Sequence, residues 1–82
     1  MYRLQTERKN VRRVKNLLSD LGLDFTILFG EGSYELTDEK SMTIELDRTS
    51  KKQARTAAVA IKSMNRQKYV LLQEIKTESE LI

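Results

Sequence analysis

"SMTIELDRTSKKQARTAAVAIKSMN", residues 41–65, is the stretch that decides how this chain folds. Its first seven residues alternate. Met42, Ile44 and Leu46 fall on one side, and Thr43, Glu45 and Asp47 on the other. A period of two belongs to a strand with one buried face. The period then lengthens, with Ala54, Ala57, Ala58, Ile61 and Met64 at helical spacing. Ser50 and Gln53 spell a capping box: the serine oxygen accepts from the backbone three residues on, and the glutamine reaches back. A strand therefore runs into a helix that extends to about Asn65. The alanines on its inner face let it lie close to a sheet.

The same change of period occurs at the amino end. "YRLQTE" sets Tyr2, Leu4 and Thr6 against Arg3, Gln5 and Glu7, as a short strand does. Val11, Val14, Leu18 and Leu21, with Leu17 beside them, then mark an amphipathic helix over residues 9–21. Gly22 follows where a left-handed carboxyl-terminal cap favours glycine, and Leu23 is placed for the apolar contact that accompanies such a cap. "DFTILF" opens another strand, with Phe25, Ile27 and Phe29 on one face and Leu28 on the other. Past Gly30 and Gly32, "SYEL" resumes an extended path, "TDEK" turns, and residue 41 begins the next strand, so the two strands form a hairpin with an irregular first arm. "YVLLQEI", residues 69–75, is the last strand, apolar on both faces at its start.

The element order is β-α-β-β-α-β, the ferredoxin-like α+β arrangement. Right-handed crossovers put both helices on one face of a four-stranded antiparallel sheet with strands in the order 4-1-3-2. Residues 1–76 make one domain, and residues 77–82 a polar tail with an apolar end.

The 82 residues hold no cysteine and no histidine. That removes thiolate chemistry and the usual zinc and copper ligands. A chain this short buries only about 60–65% of the surface its unfolded form exposes, which favours an oligomer. No apolar run reaches the roughly 18 residues of a membrane span, and no signal-peptide pattern is present, so a cytoplasmic protein without membrane contact is expected. The net charge of +3 is arranged in blocks: residues 1–15 and 48–76 are basic, residues 16–47 and the tail acidic.

Arg8, Arg12 and Lys15, with Arg13 nearby, decorate the first helix, and Lys51, Lys52, Arg55, Lys62 and Arg66 the second. Side by side the helices would present a basic face that attracts phosphate, or simply a solvated surface. Recognition of RNA on the sheet is disfavoured. The outward residues of the two central strands are Arg3, Gln5, Glu7, Thr43, Glu45 and Asp47, with no aromatic to stack a base and with acids that repel phosphate. Catalysis has little to work with. Glu7, Glu45 and Asp47 are the one carboxylate group that would hold Mg²⁺ if clustered, but acids alternating out of a strand are usually solvated. Tyr34 and Tyr69 read as packing residues. "GEG" lacks the lysine and the following helix of a phosphate loop, so Gly30 and Gly32 either supply positive φ in a wide turn or let the backbone approach a ligand. No metal or cofactor is expected.

"YRLQTERKN", "DFTILFGEGSYELTDEKSMTIELD" and "IKSMNRQKYVLLQEI" together resemble a family of small phage and prophage proteins. In that pattern a Tyr-x-x-x-Thr-Glu strand leads to an Asn-started helix, a Phe-Thr-hydrophobic strand runs into Gly-x-Gly-aromatic, and Asn-x-Gln precedes the last strand. The resemblance covers residues 2–75, and departs at Tyr34, where the pattern has tryptophan, and Leu36, where it has glycine. Such proteins are similar in outline to the PII and CutA groups, whose ferredoxin-like subunits form trimers with ligands in clefts between them.

The resemblance implies a non-enzymatic phage accessory protein in the host cytoplasm, a homo-oligomer with a trimer favoured. It would sequester a small anionic ligand, such as a nucleotide, at subunit boundaries. Arg3, Arg8, Gly30, Gly32, Tyr34 and Lys40 are the candidate contacts. Surplus apolar surface on the last strand and at Leu28, and the edges of the second and fourth strands, agree with an oligomer. Two alternatives stand beside it. One is a nucleic-acid-binding module that uses Arg12, Arg13, Lys51, Lys52 and Arg55. The other is an inhibitor that binds a host defence or replication protein through the acidic hairpin, residues 31–47.

Overall fold

The computed structural model describes residues 1–29 and 41–76. Along the chain lie β1 (Tyr2–Glu7), α1 (Val11–Asp20), β2 (Asp24–Phe29), β3 (Ser41–Asp47), α2 (Lys51–Met64) and β4 (Leu71–Glu74). The four strands form one antiparallel sheet in the order β2-β3-β1-β4, as the sequence pattern predicts for a ferredoxin-like βαββαβ fold. The register aligns the apolar faces across the sheet. Leu4 lies opposite Ile44 and Leu72, and Ile44 opposite Ile27.

Both helices cover this one face. Val14 and Leu18 of α1 and Ala54, Ala57 and Ile61 of α2 are fully buried against Leu4, Ile44 and Leu46 of the sheet. Each large side chain buried in this way stabilises the fold by about 1.5–3 kcal/mol. The buried Ala54, Ala57 and Ala58 of α2 leave room for close approach of its backbone to β1 and β4.

The helix ends follow local rules with one exception. Ser50 accepts from the Gln53 backbone N–H at 3.1 Å and Gln53 Oε1 accepts from the Ser50 N–H at 3.0 Å, completing the capping box. Gly22, at φ 71°, ends α1 in a Schellman turn: its N–H donates to Ser19 and that of Leu23 to Leu18. Leu23 is buried, as the apolar partner of such a turn should be. The same turn ends α2, but Arg66 occupies the left-handed position at φ 53°.

The exception is the start of α1. Asn10 stands in the left-handed region and its side chain makes no cap within its own helix. Its Nδ2 donates instead to Oδ1 of Asn65, across the fold. The helix therefore begins at residue 11, two residues later than its periodicity suggests.

β4 is also shorter than its pattern. Gln67 Nε2 donates to the Tyr69 carbonyl at 3.3 Å, holding residues 67–69 to the turn that leaves α2. Tyr69 is 76% exposed, so the packing role expected of it is corrected. The expected extended path and turn between β2 and β3, and the tail at 77–82, lie outside the described residues.

Candidate functional site

Because β1 and β2 run parallel and α1 returns between them, while α2 returns from β3 to β4, the two helices are antiparallel. Charge then sorts by layer. The helical segments, 8–22 and 48–68, carry twelve Lys and Arg and one acid, Asp20. The four strands carry five acids and one base, Arg3. All twelve helical-layer bases are exposed, and none forms an ion pair with a described residue. Among the described residues the helical segments are positive, and the open face of the sheet carries Glu7, Asp24, Glu45 and Asp47 against Arg3.

The nucleic-acid set falls on the positive face, at both of its ends. Arg12 and Arg13 occupy the first turn of α1, while Lys51 and Lys52 occupy the first turn of α2 at the opposite end of the layer. At a rise of about 1.5 Å per residue the two clusters are separated by roughly 15–20 Å. Along the helix axes, Lys15, Arg55 and Lys62 fall between these two ends. Neither helix has an acid in its first turn, so the positive ends of both helix dipoles add to the lysine and arginine charge.

Helical rotation divides α2 further. Gln53 and Thr56 line a shallow concavity of about 140 Å³ with Leu21 and Leu23, so that flank faces α1. At 100° per residue, Lys51, Arg55 and Lys62 fall within about 40° of one another on the opposite flank, above β4. The concavity is well below the roughly 300–1,000 Å³ of ordinary small-ligand pockets.

Of the six proposed ligand contacts, Arg3 and Arg8 are among the described residues, and they lie apart. Arg3 lies on the open face of the sheet, where its Nη2 donates to Glu45 Oε2 at 3.1 Å in a largely buried ion pair. Arg8 follows β1 at its far end, and its guanidinium stands 4.3 Å from the centre of the Phe29 ring. Five residues of strand separate the two, roughly 16 Å. Gly30, Gly32, Tyr34 and Lys40 lie outside the described residues. Among the described residues no three carboxylates are grouped to hold a metal ion. Glu45 is engaged by Arg3 and lies four residues along the sheet from the row of Glu7 and Ser41.

A buried polar cluster joins the β1–α1 and α2–β4 connections, with no role assigned to it from sequence. Asn65 is 1% exposed. Its Nδ2 donates to the Lys9 carbonyl and to Gln67 Oε1, and its Oδ1 accepts from Asn10. Gln67 meets the Thr6 hydroxyl through both amide atoms, at 2.9 and 2.7 Å. Lys9 Nζ donates to the Asn65 carbonyl, placing a cation on the negative end of α2. The Asn-x-Gln spacing after α2 is the sequence signal of this cluster: two amides stand where a chain entering a strand would bury apolar residues.

No described helix is long and apolar enough to cross a membrane. Neither the known family models nor the curated proteins give a match to the chain.

Proposed function

We propose that this protein is a non-enzymatic binding protein for anionic partners, and that it engages nucleic acid through its helical layer. The observation that carries the reading is the sorting of charge: twelve exposed bases and one acid in the helical segments, 8–22 and 48–68. A span of roughly 15–20 Å between the Arg12–Arg13 and Lys51–Lys52 clusters matches about five or six nucleotides of a strand at about 3.4 Å each. No base-reading element accompanies the charge, so sequence-independent contact with phosphates is expected. The test is a mobility shift with random duplex and single-stranded DNA. Changing Arg12, Arg13, Lys51 and Lys52 to Glu should abolish the shift while leaving the circular dichroism spectrum intact. Retained binding by that variant sinks the reading.

A second reading follows from the resemblance to phage accessory proteins with a PII- or CutA-like core. It is a homo-oligomer, with a trimer favoured, that holds a nucleotide-sized anion at subunit boundaries in the host cytoplasm. Arg8 favours it, as an exposed cation beside Phe29 at the point where the chain enters residues 30–40. Inhibition of a host protein through residues 31–47 belongs to the same phage context. Native mass spectrometry separates these: a closed oligomer carrying a nucleotide-sized mass supports the second reading, and a bare monomer removes it.

A further inference from the structure

β4 ends the sheet, and the hydrogen-bonding phase of the strand can be read from its neighbours. Ile75 N–H donates to the Met1 carbonyl at 2.9 Å, so residues 75, 73 and 71 turn their main-chain groups toward β1. In an antiparallel ladder the alternate residues then turn theirs the other way. Leu72 and Glu74 therefore present N–H and C=O groups to the open edge, with no described strand beyond them.

Apart from the Glu74 carboxylate on the strand itself, the surroundings of this edge are cationic. Lys51, Arg55 and Lys62 form the flank of α2 above β4, and Lys68 and Lys76 stand before and after the strand. Leu71, 42% exposed, adds apolar surface on the open face of the sheet. Two copies of β4 paired to each other would bring two such cationic flanks together, so electrostatics oppose a symmetric β4–β4 dimer. An acidic strand meets the opposite condition: its backbone pairs with Leu72 and Glu74 while its carboxylates lie under α2. We infer that the outer edge of β4 is a docking site for an acidic, extended polypeptide segment of a partner protein, which adds there as a fifth strand. Nucleic acid has no main-chain amides with which to continue the ladder, so this site is distinct in chemistry from phosphate contact on the helical layer.

The test uses a fluorescent hexapeptide of alternating glutamate and valine, the same peptide N-methylated at alternate residues, and a lysine-for-glutamate version. The wild-type protein should bind the acidic peptide, with slowed hydrogen exchange at the Leu72 and Glu74 amides. N-methylation should weaken binding by about tenfold or more, because ladder hydrogen bonds are removed with charge unchanged. The lysine peptide should not bind. Glu74→Pro removes an outward N–H at an edge position that tolerates proline, and should abolish peptide binding while leaving DNA binding intact. Glu74→Ala should retain it. Equal affinity for the N-methylated peptide, unaltered exchange at Leu72 and Glu74, or no binding of the acidic peptide would overturn the inference. The last result would mean that the lysines serve only to keep the edge unpaired. Self-association of the protein that is blocked by Glu74→Pro would also overturn it, by making a second copy the occupant.

Discussion

Replacing Asn65 by alanine should destabilise the protein far more than its position outside any strand or helix suggests. The side chain makes three hydrogen bonds, to the Lys9 carbonyl at 3.1 Å, to Gln67 Oε1 at 3.0 Å and from Asn10 Nδ2 at 2.9 Å. Each such bond contributes about 0.5–1.5 kcal/mol net, and more where the abandoned partner stays out of water. Asn10 and Lys9 are exposed and can turn to solvent, whereas Gln67 is buried. The expected loss is therefore about 2–3 kcal/mol. A domain of this length has a total stability of roughly 4–12 kcal/mol, so the loss is a large fraction of it. The midpoint of thermal unfolding should fall by about 10–20 °C. Urea titration followed by circular dichroism measures the change, and an unaltered slope would show that two-state unfolding is retained. Asn10→Ala removes only the exposed arm of the cluster and should cost under about 1 kcal/mol. An Asn65→Ala loss as small as that of Asn10→Ala would refute the claim that this cluster holds the two connections together.

Four further outcomes are expected. Thr6→Val and Gln67→Leu should each destabilise the protein, while the double variant should lose less than their sum, because it removes both ends of the Thr6–Gln67 contact and leaves only the Asn65 side-chain N–H and the Tyr69 carbonyl without their Gln67 partner; a double-mutant cycle in urea reads this. Gly22→Ala should cost about 1 kcal/mol through backbone strain alone, since φ is 71° and no atom lies within 4 Å of an added Cβ. Arg66→Gly should raise the unfolding midpoint slightly, by relieving the same strain at the end of α2. Ser50→Ala should cost about 1 kcal/mol by removing the α2 cap, measurable by the same titration.

The fold was readable because each element carried its own signal. The period of two in residues 41–47, the capping box at Ser50 and Gln53, and Gly22 after α1 are all local, and all act locally in the structure. Where tertiary contacts decide, the pattern misled. Asn10 starts α1 as it looks to, but its side chain caps nothing in that helix and links instead to Asn65, fifty-five residues away. Tyr69 continues the alternation of β4, yet Gln67 holds its carbonyl and leaves the ring in water. The basic residues of the helices and the common face they form were legible, but the separation of their clusters was not. Only the antiparallel packing of α1 and α2 separates the Arg12–Arg13 and Lys51–Lys52 pairs to opposite ends of one face. Of the ligand set drawn from the resemblance, Arg3 and Arg8 are among the described residues. Arg3 and Arg8 share a strand and its end in sequence, and the pleat with the Glu45 ion pair puts them on different surfaces.

The most direct test of the nucleic-acid reading is the salt dependence of binding to a duplex of about 20 base pairs between roughly 50 and 200 mM monovalent salt. Engagement of about four to five phosphates by the helical layer gives a log–log slope near −4, and so an affinity decrease of roughly 250-fold across that range. Reversing Arg12 and Lys52 to Glu should make the slope shallower by about 0.9 for each phosphate that the variant no longer neutralises. An affinity that is flat with salt, or a slope unchanged by those two substitutions, would contradict the account.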